Sequence, residues 1–210
     1  NIDFVLEDTP GLLSESQEGL DRVTAIIQNL RDFSRIDQAE TFDEYQVNSG
    51  IEATLLAARH ELQQGIEVET QLGDIPPVPC NAGQINQVIL ALIVNAAQAI
   101  DPGDRAQNTI TIRARSTENE QVCVEVQDTG PGISPQLLRR IFDPFVTTKP
   151  AGRGTGLGLS ICRRIVHSLE GTIEIQSHPG QGTVARVVLQ KAPRTRRPLS
   201  MPPTSLSAVR

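Results

Sequence analysis

The chain has 210 residues, 38% of them hydrophobic, which is enough for one sizeable domain with a small appendage and too much for disorder throughout. No run approaches the ~18 apolar residues of a membrane span, and no basic, apolar leader opens the sequence. A net charge of −6 with mostly scattered basic residues argues against a nucleic-acid surface. Cys80, Cys123 and Cys162 are odd in number, far apart and without histidines at ligand spacing, so they are expected to be reduced packing residues of a cytoplasmic protein. The sequence opens inside a helix-like pattern, which is compatible with an upstream segment carrying a membrane anchor.

In chain order, Leu13, Leu20, Val23, Ile27, Leu30 and Phe33 recur at helical spacing and predict an amphipathic helix of roughly 25 residues. So long a helix needs cover for its apolar stripe. Either it lies on the domain that follows or it is an arm of a helical bundle, including one between subunits. Asn48 to Gln63 is helical in pattern, Ile66 to Leu72 has the look of a strand, and "DIPPVP" is a rigid extended connection. Ala82 to Ile100 forms a second helix with Ile85, Val88, Ile89, Leu92, Ile93, Ala96 and Ile100 on its apolar face, stopped by Asp101-Pro102-Gly103. Thr109 to Arg115 and Gln121 to Gln127 alternate as strands joined by a hairpin turn at Thr117 to Glu120. A helix over Gly156 to Leu169 and strands over Thr172 to Ser177 and Gly182 to Leu189 complete the domain. The expected class is α+β: an α/β sandwich with helices on one face of a mixed or mainly antiparallel sheet. The expected domains are a helical part over 1–40, the sandwich over 45–190 and a basic, Pro-rich, disordered tail over 191–210.

Three stretches carry chemistry. "PAGRGTGLGLS" has glycine at 152, 154, 156 and 158, a backbone bare enough to approach a phosphate. It is not a P-loop, because Leu159-Ser160 follows the last glycine where Lys and Ser or Thr are required. Nor is it a dinucleotide fingerprint, since the sixth position counted from Gly152 or Gly154 is a leucine. "VQDTGPGI" puts the Asp128 carboxylate at the end of a buried strand, before two glycines, where it can accept hydrogen bonds from a base edge; taken alone, the same residues are an ordinary Asx turn. Asn95 sits at the border of the second helix's apolar stripe, where its amide oxygen suits Mg²⁺ shared with phosphates and water; taken alone, it is an ordinary core-edge asparagine.

Taken together and in order, "NQVILALIVNAAQAI", "DTGPGI", "IFDPFVTTK", "GRGTGLGLS" and "GQGT" resemble the N, G1, F and G2 boxes and closing Gly-Thr of sensor histidine kinases. The resemblance covers about Tyr45 to Gln190 and implies the GHKL (Bergerat) ATP-binding fold. "SQEGLDRVTAIIQNLRDFSRID" resembles the second helix of the kinases' dimerisation domain, which implies a homodimer. By that resemblance Asn95 holds Mg²⁺ against the triphosphate, and Asp128 accepts from the adenine amine with Thr183 assisting through water. Gly130 and Gly132 let the chain lie against the base. Phe142 and Phe145 anchor one end of a lid, and Lys149 reaches the terminal phosphate. Gly152, Gly154, Gly156, Leu157 and Gly158 form the lid's far hinge and offer amides to the phosphates. Read without the family, Phe142 and Phe145 are plain core residues and Lys149 a solvated charge.

The implied activity is transfer of the γ-phosphoryl of ATP to a histidine on an upstream helix, for relay to an aspartate of a response regulator. None of His60, His167 and His178 lies in an acceptor pattern. Two positions depart from the family: Ala91 stands where an asparagine is usual, one turn before Asn95, and Ala185 replaces an aromatic in the final strand. The first favours a second reading, a nucleotide-gated binding module without kinase activity.

Overall fold

The computed structural model describes residues 43–62, 65–100, 108–119, 121–149 and 154–190, together with Thr9, Gly11, Leu13, Ser16, Gln17, Gly19, Leu20 and Thr24. Those eight are helical and exposed, Leu13 and Leu20 included. Most of the predicted N-terminal helix, the stop at 101–103, Gly152 and the tail 191–210 lie outside the described residues. No helix among the described residues is long and apolar enough to cross a membrane.

Among the described residues the main sheet has five strands: β2 (Glu67–Leu72), β4 (Thr109–Ser116), β5 (Val122–Asp128), β6 (Thr172–Ser177) and β7 (Thr183–Leu189), in the order β2-β4-β5-β7-β6. Only β2 and β4 pair in parallel; every other neighbour is antiparallel, so the sheet is mixed. Among the described residues three helices pack on one face, α1 (Val47–Ala57), α2 (Ala82–Ala99) and α4 (Gly158–Ser168), with a single-turn helix α3 (Pro135–Leu138) before Phe142.

Periodicity explains this layering. All seven residues predicted on the apolar face of α2 are buried, against Ile110, Ile112, Val122, Val124 and Val126 of alternate strand positions. The opposite parity of β5 faces the other side of the sheet, where Glu125 is buried beside Arg186 at 2.6 Å and Arg115 at 3.6 Å. A buried carboxylate is costly unless paired in this way. The three cysteines are buried and unbridged as expected, and burial pushes the Cys80 thiol to about 11 and the Cys162 thiol to about 12.

Several expected boundaries shift. The helix predicted to 63 ends as α1 at Ala57, followed by a 3₁₀ turn over Ala58–His60. The one predicted from Gly156 starts at Gly158, because Gly156 has φ +66, outside helical geometry. The stretch predicted as a plain extended connection contains a strand, β3 (Val78–Cys80), paired antiparallel with β1 (Asp43–Tyr45). Such short strands show almost no alternation, and Pro79 is tolerated because the ribbon has only edges. This ribbon is bolted to α2 by the Tyr45 hydroxyl, which hydrogen-bonds to Asn86 Oδ1. Position 50 must be glycine here, since a Cβ would lie 1.5 Å from the Tyr45 hydroxyl oxygen.

Candidate nucleotide site

Asp128 ends β5 directly across the ladder from Thr183, which begins β7. Its side chain is nearly sealed, with 5% of the residue exposed, and its Oδ1 accepts the Gly130 N–H at 2.9 Å. The backbone amide of Thr183, across the ladder, also favours the charged carboxylate. Burial pushes the Asp128 carboxyl above its ordinary range, while these two amides pull it partly back. The site therefore holds an acceptor that is underfilled and desolvated.

The loop after Asp128 is pressed between neighbours. A Cβ at Gly130 would lie 3.1 Å from the Ala99 carbonyl oxygen of α2, and one at Gly132, which has φ +72, would lie 2.1 Å from the His178 carbonyl oxygen. Both glycines are needed for close approach. The Gly180 N–H donates to the Pro131 carbonyl at 2.7 Å, closing the 178–182 turn against this loop. At the centre is Ser177, a residue that motif reasoning passes over. Its Oγ accepts the Ile133 N–H at 2.9 Å, donates to the Gly182 carbonyl at 2.8 Å and lies 3.0 Å from Thr183 Oγ1. A signal was present: Ile173 and Ile175 set the inward parity of β6, and Ser177 is a polar residue on that same parity.

The second wall is the end of α2, which is N-capped by Asn81 through the Gln84 amide at 3.0 Å. Asn95, Gln98 and Ala99 are neighbours on its surface by helical spacing. Asn95 is half-buried, and its side chain makes no hydrogen bond among the described residues. Ala91, one turn earlier, packs against the core. Gln98 Oε1 accepts from the Lys149 ammonium, and Gln98 Nε2 donates to Glu61 at 3.2 Å. Burial lowers the Lys149 pKa, which the Glu61 carboxylate partly offsets.

The backbone comes together at Phe145 and Gly156. Phe142 is half-buried against the core with the Arg163 guanidinium 5.6 Å from its ring centroid. Phe145 differs: the residue is 70% exposed, its φ is +66, and it is the backbone N–H that makes the anchor, donating to the Gly156 carbonyl at 2.9 Å. The plain-core reading therefore holds for Phe142 and fails for Phe145. A Cβ at Gly156 would meet the Phe145 backbone at 2.4 Å, and one at Gly154 would meet Thr147 Oγ1 at 2.8 Å. Leu157 is buried, so its side chain belongs to the core. Gly158 opens α4 with open space around it. The Leu157 N-cap supplies no side-chain hydrogen bond to the first turn of α4.

Asp128 through its Gly130 loop, Asn95 and Lys149 are thus brought to the last turns of α2. Residues 80–193 match the family model described as histidine kinase-, DNA gyrase B-, and HSP90-like ATPase. The chain is 31% identical over 184 residues to the signal transduction histidine-protein kinase AtoS of Escherichia coli strain K12, aligning 87% of itself but only 29% of that protein. It is also 31% identical to sporulation kinase E of Bacillus subtilis strain 168, over 81% of this chain and 22% of that one. Among solved structures it resembles the catalytic domain of histidine kinase ThkA, with a TM-score of 0.63 and 30% identity, covering 72% of this chain and 97% of that domain. The chain spans less than a third of the length of these two curated relatives.

Proposed function

The chain belongs to the histidine kinase-, DNA gyrase B- and HSP90-like ATPases, its catalytic domain being of the sensor histidine kinase type, and from that premise we propose that it binds ATP with Mg²⁺ and phosphorylates a histidine. The acceptor is a histidine on a helical dimerisation segment, residues 1–40 being the later part of that segment. The phosphoryl group passes on to an aspartate of a response regulator, and the protein works in the cytoplasm as a homodimer.

One observation supports this reading above the others: Gly130, Asn95 and Lys149 all converge on one patch of α2. Gly130 lies against Ala99, Lys149 is bonded to Gln98, and Asn95 is one turn away. In this reading Asp128 accepts the exocyclic amine of adenine, with Thr183 beside it. Gly130 and Gly132 allow the base to lie against bare backbone. Lys149 leaves Gln98 to meet the terminal phosphate, and Gly152, Gly154, Gly156 and the amides of Gly158 and its neighbours receive the phosphate chain. Asn95 fits a divalent ion, because its half-buried amide has no partner among the described residues and Mg²⁺ takes one or two protein oxygens beside phosphates and water. When bound, that ion supplies charge neutralisation between phosphate oxygens. The chain's own task is positioning and electrostatic stabilisation, which is most of what phosphoryl transfer requires.

The test is calorimetric titration with ADP and ATP, followed by incubation with labelled ATP and a separately supplied dimerisation fragment carrying the acceptor helix. Label is expected on the supplied fragment and not on His60, His167 or His178. Absence of nucleotide binding would end the proposal. Binding without transfer selects the nucleotide-gated module, the reading that Ala91 favours.

A further inference from the structure

Ser177 has a fixed proton inventory. A serine hydroxyl has one proton to donate and two lone pairs. The Gly182 carbonyl can only accept, so at 2.8 Å it takes the Ser177 proton. The Ile133 N–H can only donate, so at 2.9 Å it occupies one lone pair of Ser177 Oγ. One lone pair is left, and it faces Thr183 Oγ1 at 3.0 Å. Thr183 must therefore donate its own proton to Ser177. Its hydroxyl then has only lone pairs to offer elsewhere.

Cross-strand pairing puts Thr183 beside Asp128 on the helix-facing side of the sheet. Asp128 as a carboxylate is likewise an acceptor. We propose that Ser177 is a specificity-determining residue: by taking the Thr183 proton it makes this end of the site acceptor-only, so that it selects a purine presenting an amino group over one presenting a keto oxygen. The same polarity passes through a water seated between the two side chains. Such a water donates both protons to the two acceptors and leaves only lone pairs facing the base. If Thr183 were free to donate, the water would keep a proton for a keto oxygen. Ser177 acts through Thr183 and is a positioning residue, not a catalytic one.

This inference rests on the proposed nucleotide site, and its test separates the two. ADP and IDP, which differ at purine position 6 as amine against keto and at N1 as a lone pair against an N–H, are titrated into the chain and its variants, the inference resting on the position-6 contact. The unaltered chain prefers ADP. Ser177→Ala is expected to narrow the ADP-to-IDP preference by roughly 2- to 12-fold, the range of one neutral hydrogen bond, while Ser177→Thr, which keeps the hydroxyl, preserves it. Equal weakening of both nucleotides by Ser177→Ala, with the ratio unchanged, would overturn the inference and leave Ser177 as a loop support. Should Ser177→Ala fail to fold, Thr183→Val decides: a narrowed ratio supports the inference and an unchanged one overturns it. If the unaltered chain binds neither nucleotide, the site reading itself fails.

Discussion

The two ends of the candidate site are built differently. Around Asp128 the backbone amides of Gly130 and Thr183, the Ser177 hydroxyl and the 178–182 turn interlock, and acceptor capacity is left open on Asp128 and Thr183. At the other end Asn95 has no hydrogen bond among the described residues, Lys149 is held by a glutamine that is not its proposed ligand, and the first turn of α4 has no side-chain cap. The first end is preorganised and suits recognition of a rigid, flat group. The second is left adaptable, as suits phosphates that must be gripped and released. Preorganisation lowers the ordering cost of binding, so most ground-state affinity is expected from the finished end.

Breaking the finished end should produce the largest effect. Asp128→Asn is expected to weaken ADP binding by about 10- to 150-fold, the range for a hydrogen bond to a charged group, measurable by calorimetry. The same change should not weaken the unliganded fold. Since burial holds the Asp128 carboxyl above its ordinary range, the folded chain binds that proton more tightly than the unfolded one. Its contribution to stability is fully present below the ordinary value of about 3.9 and is lost as pH rises through the folded value. The variant should therefore unfold at a temperature equal to or above that of the unaltered chain near neutral pH, with any advantage vanishing in acid. A less stable variant at neutral pH would contradict the desolvated-acceptor description.

A paired glycine experiment sharpens the contrast. Gly132→Ala places a Cβ at φ +72 and 2.1 Å from the His178 carbonyl oxygen, and is expected to cost at least about 1–3 kcal/mol. Gly158→Ala sits in open space at the start of α4 and is expected to raise stability by up to ~1 kcal/mol through helix propensity. Thermal unfolding of both resolves the difference. Equal losses would mean that the second end is packed as tightly as the first.

How much of this was legible beforehand follows the same division. The face of α2, the strand parities and the end of β5 at Asp128 follow from periodicity, because many residues vote for each. Ser177 was overlooked because its importance lies in pairing with Thr183 and Ile133 across strands, which linear spacing does not reveal. Phe145 was expected to anchor the lid, and the aromatic motif cannot tell that its backbone, at φ +66, makes the contact. The β1–β3 ribbon was missed because strands so short have no period. The start of α4 shifted because the glycines before it populate both helical and left-handed conformations without distinction in sequence.

Two smaller changes probe the adaptable end. Asn95→Ala should leave ADP affinity unchanged in the presence of a chelator and reduce the gain from added Mg²⁺ by about tenfold; loss of binding under chelation would instead make Asn95 a base-end residue. Gln98→Ala is expected to change stability by no more than about 0.5 kcal/mol, as for an exposed polar contact. It should modestly tighten ATP relative to ADP, because Lys149 no longer leaves a partner to reach the terminal phosphate. Weaker ATP binding would mean that Gln98 guides Lys149 toward the phosphate.

The hydrogen bond between Phe145 and Gly156 has a consequence for how the molecule can be re-engineered or can diverge. It staples positions 145 and 156 together, closing a loop that is also tied to α2 where Lys149 meets Gln98. The entropy of closing such a loop grows only logarithmically, by about 0.6 kcal/mol for each doubling of length. Changes of length between the two stapled positions are therefore expected to cost little, provided Lys149 keeps its place beside Gln98, while β5, β7 and α2 keep theirs.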